Sequence, residues 1–179
     1  RSTGSWYEIK LNNGKFIKAR IKGKFRTKQI RTTNPIAVGD FVEVTKNQSG
    51  EFVVSDIKER KNYIIRKSVN LSKEAHIIAS NIDLAILLIT ISSPVTSPGF
   101  IDRFTVTAEA YNIPLLLVFN KIDIYNSSDF DKLNEYEKTY NSAGYNILRI
   151  SANSGVGIEK LKQHIKNKTT LIAGNSGAG

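Results

Sequence analysis

The stretch "IPLLLVFNKID", residues 113–123, joins a continuous apolar run to a polar motif. The apolar part predicts a strand that is buried on both faces, as the strands of parallel sheets are. Polar residues that follow such a strand directly lie at the carboxyl edge of the sheet, where open α/β sheets bind their ligands. The stretch therefore predicts a parallel sheet with a binding site at its edge.

Similar apolar runs and helical patterns alternate along the second part of the chain. Further strands are predicted at 84–91, 145–151 and 169–173, and helices at 99–111, 128–144 and 157–168. In the second helix, Ser128 or Asp129 is expected as the N-cap and Gly144 as the stop signal. Strands that alternate with helices indicate an α/β domain.

The first part of the chain shows a different pattern. Short strand patterns separated by Gly and Asn turns occur at 5–11, 15–25, 34–44 and 51–57, which favours a small all-β barrel or sandwich. Residues 58–80 mix charged and polar side chains without a clean period and are interpreted as a connector. The predicted domains are therefore 1–68 and 81–179, with a linker at 69–80.

The net charge of +10 is confined to the first domain. Residues 1–68 hold 16 Lys or Arg against 6 Asp or Glu, whereas residues 69–179 hold 10 of each. Such segregation indicates a module that binds a polyanion. Cations at every second position place the charge on one face of a strand, and a barrel with such a face is typical of oligonucleotide-binding (OB) folds. These candidate RNA-binding residues are Lys18, Arg20, Lys22, Lys24, Arg26 and Lys28.

Three motifs follow predicted strands of the α/β domain. They are Asn120-Lys121-Ile122-Asp123, the segment that begins Ser151-Ala152, and the terminal run Gly174-Asn175-Ser176-Gly177-Ala178-Gly179. In the first, an N-K-x-D pattern, the Asp123 carboxylate can accept hydrogen bonds from both the ring N–H and the exocyclic amine of guanine, which adenine cannot offer. The Asn120 amide is expected at the other edge of the base, the Lys121 stem along the ring or sugar, and the backbone N–H near Ala152 at the guanine carbonyl. These motifs predict a site that rejects other bases, because its polar groups would be left unpaired.

The terminal run has the spacing G-x-x-x-x-G that opens a phosphate-binding loop. Its glycines permit positive φ and let backbone N–H groups approach phosphate oxygens. Ordinary GTPases place this loop before the base motifs, whereas here it comes last. The order predicts a circularly permuted GTPase domain.

On these motifs, and on the stretches "STGSWY", "TTNPIAVGD", "RKSVNLS", "HIIASNID" and "GFIDRF", the chain resembles the ribosome small subunit-dependent GTPases, the YjeQ or RsgA family. The resemblance implies an N-terminal OB-fold barrel, a permuted P-loop GTPase domain and a C-terminal zinc-binding domain. It also implies hydrolysis of GTP to GDP and phosphate, and binding to the small ribosomal subunit and its rRNA late in the maturation of that subunit. By position, residues 120–123, 151 and 152 would hold guanine, and 174–179 would hold the phosphates.

In the family the phosphate loop continues into Lys and then Ser or Thr, the Mg²⁺ ligand, followed by the switch region and the zinc ligands. All of these would lie beyond Gly179, so we expect a domain truncated at the P-loop, and this stretch alone is expected not to hydrolyse GTP. A monomer in the cytoplasm is expected. The absence of cysteine is compatible with that compartment, and no apolar run approaches the ~20 residues of a membrane span.

Two alternatives remain open from the residues themselves. One is a non-catalytic basic OB-fold RNA-binding protein whose α/β domain is a scaffold, although a scaffold has no need of N-K-x-D after a buried strand. The other is a different permuted ribosome-assembly GTPase, which the basic N-terminal barrel disfavours.

Overall fold

The computed structural model describes residues 2–3, 6–21, 35–67 and 75–179. The chain divides into two compact units, Arg1–Asn81 and Ile82–Gly179. None of the described helices is long and apolar enough to cross a bilayer.

The described part of the first unit is all-β, as predicted. A five-stranded sheet contains β1 (Ser2–Thr3), β2 (Trp6–Lys10), β3 (Phe16–Ile21), β4 (Val42–Lys46) and β5 (Phe52–Ile57) in the order β1-β2-β3-β5-β4. The β3–β5 pair is parallel and the other neighbours are antiparallel. Alternate side chains of β3 point inward, where Ala19 packs with Tyr7, Ile36 and Val54, because successive residues of a strand face opposite sides of a sheet.

Two expectations for this unit were wrong in detail. The strand predicted at 34–44 begins only at Val42, because Gly39 has φ +95° and sits so close to another segment that a Cβ would come within 2.2 Å of the Ser80 carbonyl oxygen. The connector at 58–80 contains strands β6 (Tyr63–Lys67) and β7 (Ala75–Ser80), which pair antiparallel. Strand β7 lies within the range 69–80 that was expected to be a linker.

A buried ion pair holds the segment before β4 in place. Arg60 donates from Nε and Nη2 to the two carboxylate oxygens of Asp40, both at 2.7 Å, and from Nη2 to the Pro35 carbonyl at 2.9 Å. Ser80 donates to Asp40 Oδ1 at 2.5 Å and the Ala37 N–H to Oδ2 at 2.8 Å. Burial alone would raise the pKa of Asp40, but these hydrogen bonds and the Arg60 charge outweigh burial and hold it below its ordinary value.

The second unit is a parallel sheet with helices on both faces, again as predicted. Its strands are β8 (Leu84–Ile89), β9 (Leu115–Phe119), β10 (Asn146–Arg149) and β11 (Thr170–Gly174), in the order β10-β9-β8-β11. All three pairings are parallel. The helices are α1 (Pro98–Ala110), α2 (Ser127–Ser142) and α3 (Ile158–Ile165).

The two central strands, β8 and β9, supply both cores of this unit. Leu87, Ile89, Leu117 and Phe119 pack against residues of α1 and α2 on one face. Leu84, Ile86, Leu116 and Val118 pack against residues of α3 on the other. This double burial explains why both strands are apolar without alternation.

The start of α2 differs from the expectation. Asn126 is its N-cap, not Ser128 or Asp129. The Asn126 side chain accepts from the Asp129 N–H at 3.0 Å, and the Asp129 carboxylate accepts from the Asn126 N–H at 3.2 Å. This reciprocal capping box satisfies two N–H groups at once, which a cap one or two residues later would not do.

We predict that Asp40→Asn lowers the free energy of unfolding by about 3 kcal/mol at neutral pH, because it leaves Arg60 buried without a counter-charge. The folded pKa of Asp40 lies below its unfolded value near 3.8. The stabilisation is therefore complete above pH ~4 and is lost as the pH falls through the lower folded pKa. Urea unfolding of both proteins at several pH values should show the difference narrowing below that point.

The matched control is Asp56→Asn, because Asp56 is half-exposed and lies 3.9 Å from an equally exposed Lys58. This change should cost less than about 1 kcal/mol at any pH. Equal losses of unfolding free energy in the two variants would show that the Asp40–Arg60 pair stabilises the protein no more than an exposed pair does.

Candidate functional site

The carboxyl ends of the four parallel strands bring the three predicted motifs together. Phe119 of β9 is in register with Ile89 of β8 and Arg149 of β10, and Gly174 of β11 with Leu88 of β8. The N-K-x-D motif, the segment from Ser151 and the glycine loop therefore leave the sheet along one edge.

Asn120 connects all three motifs through its side chain. The residue is 1% exposed. Its Nδ2 donates to the Ala178 carbonyl at 2.9 Å, and its Oδ1 accepts from the Ala152 N–H at 3.0 Å. Buried amides of this kind are stable only when both ends are paired. The Asn120 side chain therefore fixes the spacing between loops that lie up to 58 residues apart in the chain.

This geometry differs from the expectation for two groups. Sequence reasoning placed the Asn120 amide at an edge of the base and the Ala152 N–H at the guanine carbonyl. In the structure these two groups bond to each other. This bond ties the N-K-x-D loop to the segment from Ser151.

Asp123 presents an exposed, ionised carboxylate at this edge. The Ser151 hydroxyl donates to Oδ1 at 2.6 Å and the Asn153 amide to Oδ2 at 3.2 Å. The hydrogen bond from Ser151 is the largest cause that lowers the pKa of Asp123 below its ordinary value. Because a carboxylate offers about four acceptor sites, each oxygen can accept a further hydrogen bond.

Lys121 and Ile122 form the turn between Asn120 and Asp123. Lys121 has φ +65°, which reverses the chain into a 3₁₀ turn at Ile122–Ile124. Its ammonium group donates to the Ser93 carbonyl at 2.8 Å, and Ile122 packs against the apolar core. The turn therefore projects Asp123 outward while its neighbours anchor it.

Tyr125 also supports the site, although sequence reasoning did not single it out. The residue is 9% exposed. Its hydroxyl donates to the Asn120 carbonyl at 2.7 Å and accepts from the Ile91 N–H at 2.8 Å. Burial raises the pKa of Tyr125, so the hydroxyl stays protonated. The sequence signal for Tyr125 was weak, namely a tyrosine two positions after the N-K-x-D motif. Its partners are backbone groups, which a sequence motif does not identify.

The glycine loop, residues 174–179, follows β11 as predicted. Gly177 has φ +83°, a conformation that favours glycine. A Cβ at Gly174 would come within 3.0 Å of the Leu88 carbonyl oxygen. Ala178 is buried, and its N–H donates to the Asn175 carbonyl at 3.0 Å. Gly174, Ser176, Gly177 and Gly179 are exposed.

Of the predicted RNA-binding cations, the structure describes two. Lys18 and Arg20 lie on the outward face of β3 and are exposed. Lys22, Lys24, Arg26 and Lys28 lie outside the described residues. Within the described ranges no group of three or more His, Cys, Asp or Glu is arranged to hold a metal ion.

Comparison with known families assigns both parts of the chain. The model of the RsgA GTPase matches residues 57–179, and the model of the RsgA N-terminal domain matches residues 1–54. The chain belongs to the RsgA GTPase family. Similar relatives within the family include "Small ribosomal subunit biogenesis GTPase RsgA" of Flavobacterium psychrophilum, 53% identical over 182 residues, and "Small ribosomal subunit biogenesis GTPase RsgA 2" of Bacteroides thetaiotaomicron, 48% identical over 179. Both matches cover the whole chain, but only 56% and 58% of the relatives.

Two solved structures resemble the chain. YjeQ from Thermotoga maritima is 35% identical with a TM-score of 0.78, over 98% of this chain and 58% of that one. YloQ, described as a circularly permuted GTPase, is 28% identical with a TM-score of 0.74, over 100% of this chain and 59% of that one. The predicted fold class is thereby confirmed. The present chain spans somewhat more than half the length of the curated relatives and of the solved proteins that it matches.

We predict that Tyr125→Phe destabilises the second unit by about 1–3 kcal/mol, because it leaves the Asn120 carbonyl and the Ile91 N–H without their common partner. Denaturant unfolding measures the loss. Tyr145→Phe is the matched control, since the Tyr145 hydroxyl bonds to the exposed side chain of Glu109. The control should lose less than about 1 kcal/mol, and an equal loss would contradict the role given to Tyr125.

Proposed function

We propose that the chain is part of a GTPase that binds the small ribosomal subunit, acts in its maturation and hydrolyses GTP to GDP and phosphate. The observation that carries the proposal is the exposed Asp123 carboxylate. It is oriented by Ser151 and Asn153 and keeps acceptor capacity on both oxygens. The names of the relatives support the ribosomal part, since each is described as a small ribosomal subunit biogenesis GTPase.

In this proposal Asp123 reads guanine. Its two oxygens would accept the ring N–H and the exocyclic amine, and its lowered pKa keeps it ionised at neutral pH. Asn120, Ile122, Ser151 and Ala152 act by holding the carboxylate and the loops in position. Lys121 supplies a cation beside the base site, with its ammonium group at the Ser93 carbonyl.

Residues 174–179 would hold the phosphates. The turn at Gly177 and the exposed glycines allow backbone N–H groups to face an anion, which is how phosphate loops bind. GTPases bind Mg²⁺ together with the nucleotide, where it neutralises charge between the β- and γ-phosphates. We therefore propose that the intact protein binds GTP together with Mg²⁺, which would neutralise the charge of these phosphates.

The first unit would bind ribosomal RNA. Its excess of cations and the exposed Lys18 and Arg20 support an electrostatic contact with phosphates. We propose that the cations at 22, 24, 26 and 28 extend this contact. For the two functional domains we propose the limits of the compact units, Arg1–Asn81 and Ile82–Gly179, in place of 1–68 and 81–179, because β7 pairs with β6. A cytoplasmic location and a monomeric state are also proposed.

We predict that Asp123→Asn in the intact protein weakens GTP and GDP binding and admits xanthine nucleotides. An amide nitrogen donates where the carboxylate accepted, and the added carbonyl of xanthine offers it an acceptor. A base site built from hydrogen bonds discriminates between ligands by orders of magnitude in affinity. Titration with GDP and xanthosine diphosphate should therefore show that the variant binds xanthosine diphosphate more tightly than GDP. Asp131→Asn, an exposed change on α2, is the control. Unchanged preference in Asp123→Asn would remove the assignment.

We predict that replacing Lys18, Lys22 and Lys24 by Gln weakens co-sedimentation with the small subunit and flattens its salt dependence. For each phosphate that is no longer neutralised, the slope of log affinity against log salt should fall by ~0.7 on single strands. Guanine nucleotide affinity should not change. A control that replaces Lys160, Lys162 and Lys166 by Gln removes equal charge from the second unit. If both variants behave alike, the cations serve only solubility, and the RNA-binding role fails.

A further inference from the structure

The segment between β8 and α1, residues 90–97, is closed on itself by two buried threonines and is called here the β8–α1 loop. Thr90 and Thr96 are both 0% exposed. The Thr90 N–H donates to Thr96 Oγ1 at 3.1 Å, and the Thr96 N–H donates to the Thr90 carbonyl at 2.8 Å. The Thr90 hydroxyl also donates to the Pro94 carbonyl. Because a buried polar group that loses its partner is costly, these bonds hold the loop in one shape.

The middle of the β8–α1 loop lies against two of the three motifs of the site. The Lys121 ammonium group of the N-K-x-D motif donates to the Ser93 carbonyl at 2.8 Å. In the glycine loop, Asn175 Nδ2 lies 3.5 Å from the Val95 carbonyl oxygen, which is the limit of a hydrogen bond. Carbonyl groups of the β8–α1 loop therefore meet side chains of both motifs, although the loop belongs to neither.

Both residues of the Lys121–Ser93 contact have an unusual backbone. Lys121 has φ +65° and Ser93 has φ +51°, which is the left-handed region that residues with a Cβ disfavour. Such conformations persist where the surrounding structure imposes them, and they cluster at functional sites. Ser93 lies inside the segment that Thr90 and Thr96 close. Its carbonyl is therefore a fixed acceptor for the lysine.

We propose that the β8–α1 loop is a positioning element of the base site, whose Ser93 carbonyl holds the Lys121 ammonium group and so extends the lysine stem before a nucleotide arrives. A lysine side chain that is ordered only on binding loses rotamer freedom, and this loss lowers affinity. An ammonium group that is already bonded in the free protein has lost part of that freedom beforehand. This inference rests on the proposed guanine-binding function and adds to it a loop outside the three motifs.

Thr96→Val in the intact protein tests the loop, because it keeps the shape of the side chain and removes the oxygen that accepts from the Thr90 N–H. A loosened loop should weaken GDP binding by about two- to tenfold in a calorimetric titration, the range for ordering one flexible side chain. Thr96→Ser keeps the hydroxyl and should restore the affinity.

The matched control is Thr105→Val, measured by the same titration and by the melting temperature. Thr105 is also buried, at 4% exposure, but its hydroxyl donates to the Asp102 carbonyl within α1. Its replacement should lower the melting temperature and leave GDP affinity unchanged. The comparison separates a loss of stability from a loss of positioning.

A double-mutant cycle shows whether the loop acts through Lys121. Lys121→Met keeps an unbranched stem but has no ammonium group to bond the Ser93 carbonyl. In that background Thr96→Val should have little further effect on GDP affinity, because two changes that break one interaction are not additive. If Thr96→Val weakens GDP binding by the same factor in both backgrounds, the loop does not act through the lysine and the proposal is wrong.

The remaining outcomes also decide. If Thr96→Val binds GDP as the unsubstituted protein does, while its melting temperature falls as far as that of Thr105→Val, the loop is structural only and the positioning role is rejected. If the unsubstituted intact protein does not prefer GDP to ADP, the guanine-binding function fails and this inference fails with it. A clear preference for GDP with additive effects in the cycle rejects the positioning role alone.

Discussion

The Asn120 amide is the interaction on which the second unit's site depends. It is buried at the carboxyl edge of the sheet and bonds the Ala152 N–H with one end and the Ala178 carbonyl with the other. Losing either bond would leave a buried polar group unpaired, which costs about 1–3 kcal/mol. The arrangement therefore ties the base motif, the segment from Ser151 and the glycine loop into one unit, and Asp123 is held relative to that frame.

This dependence explains how the motifs can occur in permuted order. The parallel sheet brings the ends of β9, β10 and β11 to one edge whatever the order in which the chain visits them. Contacts across that edge then require only that the loops be neighbours in space. Tyr125 extends the same principle, because its hydroxyl connects the backbone after β8 to the backbone after β9.

The first unit is held together by a buried ion pair rather than by a buried amide. The Asp40–Arg60 pair fixes an irregular segment against the end of β7, with Ser80 as a third partner. The outer face of β2 and β3 carries aromatic and cationic side chains, while the described core on the other face is formed by the inward set. The packed core and the exposed cations thus lie on opposite sides of one sheet.

The sequence by itself determined both fold classes and the three motifs of the site. The apolar run at 113–119 has one explanation, a strand buried on both faces, and the carboxyl edge follows from it. The sequence did not determine the partners within the site. The bonds by which Asn120 joins three loops were not anticipated, and Tyr125, the Asn126 cap and strand β7 were missed. Periodicity reports which face of an element is buried, whereas hydrogen bonds between loops far apart in the chain exist only once the sheet has brought them together. Tertiary structure alone therefore decided which polar groups remain available to a ligand.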